Sequence, residues 1–413
     1  MSLKGFGLYV HIPHCLQKCH YCDFVTTTVD SPPSASGEYV TGVLAELRRR
    51  SFSVRELSQG PLTSIYFGGG TPSLLPAQDI LAVLLEIATA GFNRTNDCEI
   101  SIEINPGTID DEKLDLYLAA GVNRFSIGVQ TFSDESLRAA GRKHSAEETR
   151  KTLRLFADRS LNYSADILFG LPHQRIKDLQ RDLSELFEFS PPHVSLYNLT
   201  LPRAHFMNRG RAPDEEQVRM FETIELALSR GGILRYEISN FAKPGFESRH
   251  NQLYWQGGAY WGLGVGAHSY LPQCGKFGVR FANPASMRAW RKQVENISEQ
   301  ESFWSKLPSA QVEHLALHEA LTDFFHTRLR QTSGFLWREF HELLSAHGVC
   351  AARAKNIEFI AQSRLKKLAS RDLIIDSAGR VRLSEQGYPL ANVVFLELTF
   401  AADEVIGEAN LTP

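Results

Sequence analysis

Three cysteines near the start of the chain have the spacing of a metal-binding site. Cys15, Cys19 and Cys22 form a C-x3-C-x2-C pattern. Thiolates bind iron–sulfur clusters, and a cluster of four irons held by only three cysteines has one iron open to another ligand. Three cysteines also bind zinc when a histidine supplies the fourth ligand, and three histidines lie between residues 11 and 20. The motif alone leaves both kinds of site open.

The composition is that of an ordinary folded protein. The 413 residues include 43% hydrophobic and 22% charged side chains, and the net charge is −3. This length predicts two or three domains. With six cysteines and no secretory signal, we expect a cytoplasmic protein without a disulfide framework. We interpret the scattered Cys98, Cys274 and Cys350 as ordinary small apolar residues.

The charge pattern argues against several classes of partner. The chain has no polybasic tail and no interleaving of basic and aromatic residues, so we expect no nucleic-acid partner. No window approaches the roughly 18 apolar residues of a membrane span, so no transmembrane segment is predicted. Contact with a membrane surface is compatible with the sequence.

A strand–helix unit repeats through the first half of the chain. Six apolar segments predict strands at Leu8–Ile12, Ser64–Phe67, Glu99–Ile104, Arg124–Val129, Tyr163–Phe169 and His193–Asn198. Amphipathic segments between them predict helices at Glu38–Arg50, Pro76–Ala90, Asp111–Ala120, Ala146–Arg159 and Leu179–Phe189. This alternation implies parallel βαβ crossovers.

The polar and glycine-rich residues of this half follow the ends of nearly every predicted strand. Barrel enzymes collect functional residues from several strand ends at one face, whereas an open doubly wound sheet concentrates them at one switch point. We therefore predict an α/β fold over residues 1–231, a partial (β/α)6 TIM-like barrel.

The second half of the chain has a different character. Residues 232–310 begin rich in glycine and aromatic side chains, and we expect this segment to pack on the barrel. Residues 311–413 predict a small α+β domain with winged-helix-like character, because helices are followed by a hairpin at Leu373–Leu383. The predicted helices are Val312–Arg330, Leu336–Leu344, Asn356–Ala369 and Tyr388–Leu398. Without a basic stripe, a packing or partner role is favoured for this domain.

Further motifs follow the cysteines in a fixed order. They are Tyr-Val-His-Ile-Pro (9–13), Tyr-Phe-Gly-Gly-Gly-Thr-Pro-Ser (66–73), Ile-Glu-Ile-Asn-Pro (102–106), Ser-Ile-Gly-Val-Gln-Thr-Phe (126–132), Gly-Arg-Lys-His (141–144), Asp-Ile-Leu-Phe-Gly-Leu-Pro (166–172) and Gly-Leu-Gly-Val-Gly-Ala-His-Ser-Tyr (262–270). The series resembles the radical S-adenosylmethionine (SAM) enzymes and, within them, the HemN/HemW family of oxygen-independent coproporphyrinogen oxidases and heme chaperones. The resemblance covers residues 7 to 310 and weakens beyond them.

The resemblance implies the cofactors. Cys15, Cys19 and Cys22 would hold three irons of a [4Fe–4S] cluster, and the fourth iron would chelate the amino and carboxylate groups of SAM. An electron from a donor such as a flavodoxin or ferredoxin would then allow the cluster to cleave the sulfonium, giving methionine and a deoxyadenosyl radical.

The resemblance also implies which residues contact SAM. The implied set is Tyr9, Tyr21, Gly69, Gly70, Thr71, Glu103, Gln130, Arg142 and Asp166. Glu103 would pair with the cationic end of SAM, Arg142 with its carboxylate, and Asp166 with its ribose hydroxyls. Each residue alone also has an ordinary structural explanation, such as a strand-to-helix turn for the glycines. Their placement at successive strand ends favours the cofactor.

Two features distinguish the branches of the family. Oxidases of the HemN type carry a fourth cysteine two residues after the third, where this chain has Phe24, and a long N-terminal extension for which Cys15 leaves no room. His250, Tyr254 and Trp255 match the H-N-x-x-Y-W motif of the chaperone branch, which implies heme binding through His250. The alternative is that His250 caps a loop and the two aromatics belong to the core.

These features favour a SAM- and cluster-binding heme chaperone that delivers heme to respiratory hemoproteins. The first alternative is an oxygen-independent coproporphyrinogen III oxidase, which decarboxylates propionates in heme biosynthesis. The second is a zinc protein without enzymatic activity. The fold implied by the resemblance is capable of SAM cleavage, but no catalytic residue is identified.

Overall fold

The computed structural model describes residues 5–34, 37–58, 60–297 and 311–405. The strands are β1 Phe6–Ile12, β2 His14–Cys15, β3 Thr27–Thr28, β4 Leu62–Gly69, β5 Arg94–Ile104, β6 Arg124–Gln130, β7 Tyr163–Phe169, β8 His193–Asn198, β9 Leu234–Arg235, β10 Asn240–Ala242, β11 Ala259–Leu263, β12 His268–Leu271, β13 Val279–Ala282, β14 Val312–His314, β15 Phe335–Leu336, β16 Ile374–Ser377 and β17 Arg380–Leu383. The α-helices are α1 Glu38–Ser58, α2 Ala77–Thr89, α3 Asp111–Ala119, α4 Asp134–Ala139, α5 Ala146–Asp158, α6 Ile176–Phe187, α7 Asp214–Arg230, α8 Arg249–Trp255, α9 Met287–Asn296, α10 Leu317–Arg328, α11 Trp337–Ala346, α12 Ala351–Ala369, α13 Ala391–Glu397 and α14 Ala402–Val405.

Seven parallel strands form the centre of one large sheet. The six predicted strands lie side by side in the order β1, β4, β5, β6, β7, β8, and β11 pairs with β1 in the same direction. The sheet stays open because antiparallel strands continue it beyond β11 and beyond β8. The predicted α/β fold with a partial barrel is confirmed. The strand β11 was not predicted.

The helices of the first half cover this sheet, so that its strands are buried as parallel strands require. The predicted helices are all present, and α1 extends beyond its predicted end to Ser58. The helices α4, α7, α8, α9 and α14 were not predicted. A capping box at Ser145 and Glu148 fixes the start of α5 directly after the Gly-Arg-Lys-His motif. No helix in the described parts of the chain is long and apolar enough to cross a membrane.

Buried apolar side chains gather into two main cores. One runs from Phe6 to Val294 and lies between the helices and one face of the large sheet, to which alternate strand residues such as Leu8, Val10 and Ile12 point. The other runs from Leu317 to Val405, where helices pack against the three-stranded sheet β15-β17-β16. Helices followed by this small sheet confirm a small α+β unit at the C-terminal end. The domain boundaries at residues 231 and 310 stay predictions.

The prediction of one helix over Val312–Arg330 is wrong at its start. Residues 312–314 form β14, which pairs with β13 at the edge of the large sheet, and α10 begins only at Leu317. The edge of the sheet offers hydrogen bonds that outweigh the local helical pattern. His314 therefore lies on a strand, while His318 and His326 lie on the helix.

Candidate functional site

A cavity of about 460 Å³ opens at the C-terminal ends of the parallel strands. This volume is typical of sites for small molecules and cofactors. Eleven of the thirteen residues predicted from the sequence line it: Cys15, Cys19, Tyr21, Cys22, Gly69, Gly70, Thr71, Glu103, Gln130, Arg142 and Asp166. Tyr9 and His250 do not line it.

A short pair of strands closes the cysteine loop. The strands β2 and β3 pair in parallel, and the N–H of Val29 donates to the carbonyl of Cys15 over 2.8 Å. Inside the loop, the N–H of Cys22 donates to the carbonyl of Cys19 over 3.2 Å. These bonds bring the two ends of the loop together, so that one closed loop presents all three thiols to the cavity.

Polar neighbours surround the thiols. The Thr71 hydroxyl lies 3.7 Å from Cys15 Sγ, and Arg142 Nη1 lies 3.5 Å from Cys19 Sγ. Arg142 Nη2 also donates to Asn105 Oδ1 over 2.5 Å, which fixes the guanidinium beside the cysteines. Burial raises the pKa of the Cys15 thiol. A metal must therefore displace a proton from it, as thiolate ligation requires.

The histidines near the motif have other contacts. In His11, Nδ1 is hydrogen-bonded to the Tyr9 hydroxyl over 3.0 Å and Nε2 to the Val25 carbonyl over 2.7 Å, so His11 ties β1 to the cysteine loop. His20 Nδ1 donates to the Ala139 carbonyl over 3.1 Å. Within the described ranges, no three Cys, His, Asp or Glu side chains are close enough together to hold one metal ion.

The glycines at the end of β4 allow two chain segments to approach each other. A Cβ atom on Gly70 would lie 2.8 Å from backbone atoms of Pro13 and His14. Gly69 has a φ of +115°, which L side chains rarely adopt. The N–H of Gly69 donates to Glu103 and that of Gly70 donates to the Ile12 carbonyl, so neither group is free for a ligand in this conformation.

Two enclosed carboxylates face the cavity from neighbouring strands. Glu103 accepts hydrogen bonds from the Tyr66 hydroxyl over 3.0 Å and from the N–H of Gly69 over 2.9 Å. Burial, with the nearby Asp166 as a minor cause, raises the pKa of Glu103 to about 7. Asp166 accepts hydrogen bonds from Ser126 over 2.5 Å and from Ser164 over 2.7 Å, and burial raises its pKa too. Because both carboxylates are already oriented, the site suits a cationic ligand with hydroxyl groups.

An unusual turn orients Gln130. This residue has a φ of 65°, and the N–H of Thr131 donates to the carbonyl of Val129 over 2.9 Å. The pairing of β6 with β7 shifts its register between Ile127 and Gln130. Such tight turns of non-glycine residues carry strain and occur at functional sites. The turn ends β6 at the cavity wall, where Gln130 lies.

His250 lies outside the cavity, on α8. Its side chain is 1% exposed, and both ring nitrogens are hydrogen-bonded: Nδ1 to the Ser64 hydroxyl over 2.8 Å and Nε2 to the Tyr254 hydroxyl over 2.7 Å. Burial lowers the pKa of His250 to about 3, so the imidazole is neutral. Heme binding through His250 stays a prediction, and ligation of the iron requires Ser64 or Tyr254 to release a ring nitrogen.

Several cavity residues were missed by the sequence analysis. They are Tyr66, Asn105, Ser126 and Tyr197. Alternate residues of a strand face the same side, so Ser126 could have been found from Gln130, and Asn105 from Glu103. Phe24, at the position of the oxidases' fourth cysteine, also lines the cavity and is 62% exposed.

Comparisons with known proteins give a consistent result. The profile of the Radical SAM superfamily matches residues 9–186. The heme chaperone HemW of Bacillus subtilis is 32% identical over 94% of this chain and 97% of its own length. The HemW of Escherichia coli is 38% identical over 65% of this chain and 71% of its own length. The mitochondrial radical S-adenosyl methionine domain-containing protein 1 of Bos taurus is 32% identical, over 95% of this chain and 87% of its own length.

A solved structure shows the same fold. The coproporphyrinogen III oxidase HemN of Escherichia coli, a radical SAM enzyme, superposes with a TM-score of 0.76 over 97% of this chain and 91% of that protein. The two sequences are 20% identical, so this likeness establishes the fold alone.

Proposed function

We propose, from the finding that the chain belongs to the HemW family within the radical SAM superfamily, that it is a heme chaperone that carries a [4Fe–4S] cluster, binds SAM and delivers heme to respiratory hemoproteins. The observation that carries the proposal is the convergence of three motif cysteines and two partly buried carboxylates on one cavity. Relatives named as heme chaperones match nearly the whole chain, which supports the same role.

The donor set fits a cluster with three protein ligands. Cys15, Cys19 and Cys22 would each bind one iron and leave the fourth iron without a protein ligand. The guanidinium of Arg142, beside Cys19, would stabilise the negative charge of the thiolates. When bound, the cluster supplies the electron that cleaves the sulfonium of SAM.

Residues of the cavity wall would orient SAM. Ionised Glu103 would attract the cationic end of the ligand, and Asp166, held by two serines, would accept hydrogen bonds from ribose hydroxyls. Thr71 and Gln130 complete the proposed polar contacts, with Tyr21 beside the cysteines. Gly69 and Gly70, whose N–H groups are already bonded, would let the ligand approach the backbone closely because they have no side chain. Tyr9 does not line the cavity and would act through Tyr66, because the two rings stack with centroids 6.2 Å apart.

Reconstitution under anaerobic conditions tests the cofactor proposal. We expect a brown protein with about four irons per chain that binds SAM. A colourless protein that takes up zinc and rejects iron would contradict it. Incubation with coproporphyrinogen, SAM and reductant tests the oxidase alternative. Conversion to protoporphyrinogen would replace the chaperone role with that of an oxidase.

Heme titration of His250→Ala tests the proposed heme site. Loss of the neutral imidazole should weaken heme binding roughly tenfold or more, because an axial ligand is removed. The matched control is His341→Ala, which removes a histidine whose side chain is 51% exposed. Unchanged heme binding by His250→Ala would remove this residue from the proposal.

The proposed partners follow from the same role. They are heme-accepting respiratory proteins and an electron donor such as a flavodoxin or ferredoxin, and the proposed compartment is the cytoplasm. Co-purification of the heme-loaded chain with a hemoprotein, followed by transfer of heme on mixing, is the expected result. Retention of heme in the presence of every respiratory apoprotein tested would contradict delivery.

A further inference from the structure

A chain of contacting side chains connects the H-N-x-x-Y-W helix to the cavity. The His250 ring stacks on the Tyr66 ring, with centroids 5.1 Å apart and planes 23° apart. The Tyr66 hydroxyl then donates to Glu103 Oε1 over 3.0 Å. We propose that His250 and Tyr66 are positioning residues of the SAM site: His250 fixes the Tyr66 ring, and Tyr66 fixes the Glu103 carboxylate. This inference rests on the proposed SAM site and is independent of the heme site.

His250 is held on three sides. Ser64 of β4 binds Nδ1, Tyr254 of α8 binds Nε2, and the backbone N–H of His250 donates to Glu99 Oε1 of β5 over 3.1 Å. With both ring nitrogens bonded, the imidazole has little freedom to rotate. Ser64 and Tyr66 are alternate residues of one strand and face the same side, so a ring bound to Ser64 is also held against Tyr66.

The carboxylate at the other end of this chain depends on its donors. Glu103 Oε1 accepts from Tyr66, and Oε2 accepts from the N–H of Gly69. Hydrogen bonds to the ionised form oppose the effect of burial, which favours the protonated form. If the Tyr66 ring tilts, Oε1 loses its donor, and the ionised carboxylate is both less stable and less well oriented. A cationic ligand in the cavity would then bind more weakly.

The H-N-x-x-Y-W motif therefore has a role that requires no contact with heme. A residue whose role is only structural would change folding or cluster loading without a selective effect on SAM. If His250 is a positioning residue, its substitution should leave cluster loading normal and reduce SAM affinity. It also predicts that His250 acts through Tyr66, so that its effect disappears when the Tyr66 hydroxyl is absent.

The test uses the full-length chain with a reconstituted cluster and no heme. SAM affinity is measured by equilibrium dialysis, and the reduced cluster is examined by electron paramagnetic resonance with and without SAM. Tyr66→Phe removes only the hydroxyl, and we expect SAM binding to weaken roughly tenfold, as for the loss of a hydrogen bond to a charged group. His250→Asn should weaken it roughly threefold to tenfold. The double variant should be no weaker than Tyr66→Phe, since both substitutions break the same connection.

A control on the same helix separates this effect from general damage. Gln252→Ala changes a neighbouring side chain of α8 that is not part of the connection, and it should bind SAM as the unaltered chain does. Two outcomes would overturn the inference. One is a SAM affinity within about twofold of the unaltered chain for His250→Asn with full iron content, and the other is an effect that adds fully to that of Tyr66→Phe.

Two milder variants apply if His250→Asn takes up no iron. Tyr254→Phe and Ser64→Ala each remove one hydrogen bond from the ring and leave the imidazole in place. Each should weaken SAM binding roughly twofold to threefold, and full affinity in both would reject the inference. If the unaltered chain itself binds no SAM, the proposed SAM site fails instead, so the two failures can be distinguished.

Discussion

Clear sequence motifs mark both the cavity and the H-N-x-x-Y-W helix. The polar side chains of the cavity face a space that can hold a ligand, whereas His250 on the helix is bonded to other protein groups. In the cavity, Glu103 and Asp166 are hydrogen-bonded from behind and face an open space of about 460 Å³. On the helix, His250 is 1% exposed, and both of its ring nitrogens are bonded to protein. A motif thus shows that residues act together, but it does not show whether they face a ligand or each other.

Removal of one cavity cysteine should have the largest effect. Cys19→Ala deletes one of three thiolates, and two protein ligands do not hold a four-iron cluster stably. We expect iron content after reconstitution to fall from about four per chain to near zero, as measured by colorimetric iron analysis and visible absorbance. Cys350→Ala, at an exposed cysteine outside the cavity, should retain full iron. Full iron in Cys19→Ala would show that the cavity is not the cluster site.

Neutralisation of Glu103 should have the next largest effect. Glu103→Gln keeps the shape of the side chain but removes its charge, so SAM binding should weaken roughly 30-fold, within the range for a charge-assisted hydrogen bond. Equilibrium dialysis at pH 8 measures this, with Glu188→Gln as the exposed control. Equal affinity in both variants would place the cationic end of SAM elsewhere.

The position of Glu103 at the cavity was predictable from the sequence, whereas the burial and hydrogen-bond partners of His250 were not. Glu103 ends an apolar segment, and parallel strands bring such ends to one face, so sequence alone indicates that it meets Asp166. The burial of His250 depends on Ser64 and Glu99, which lie far away in sequence. No local pattern marks these partners.

Pairing between distant segments also explains the errors in the fold. The strand β11 contains Ala-Tyr-Trp-Gly-Leu, which has little strand pattern of its own, and it forms because β1 offers it a parallel partner. In the same way, β14 exists because β13 pairs with it. The strands of the barrel were predictable since each carries its own apolar signal.

Stability should depend on pH through Glu103. Its pKa is raised from 4.5 to about 7, so the folded chain binds a proton more tightly than the unfolded chain. The added stability is complete below pH 4.5 and is lost as pH rises to 7, with a difference of about 2 kcal/mol between pH 5 and pH 8. Urea unfolding of the cofactor-free chain at both pH values should show this loss, and Glu103→Gln should show less of it by that amount. Equal pH dependence in the two chains would mean that Glu103 is not the responsible group.

The smallest effect on stability is expected at the C-terminal end of α8, where Trp255 lies. The Arg330 guanidinium lies over the Trp255 ring at 4.7 Å from its centroid, and it also approaches Phe395 at 5.6 Å. Arg330→Met removes the cation while keeping an apolar chain, so the free energy of unfolding should fall by about 1 kcal/mol. The exposed Arg338→Met is the control.

The SAM affinity of Arg330→Met tests whether the two ends of α8 affect the cavity separately. His250 and Trp255 lie at opposite ends of α8, and of these two side chains it is His250 that stacks on Tyr66. Arg330→Met should therefore bind SAM normally while losing stability in urea. A loss of SAM affinity comparable to that of His250→Asn would mean that α8 moves as one rigid unit. The cavity and α8 would then be one energetically coupled unit, and not two regions with separate roles.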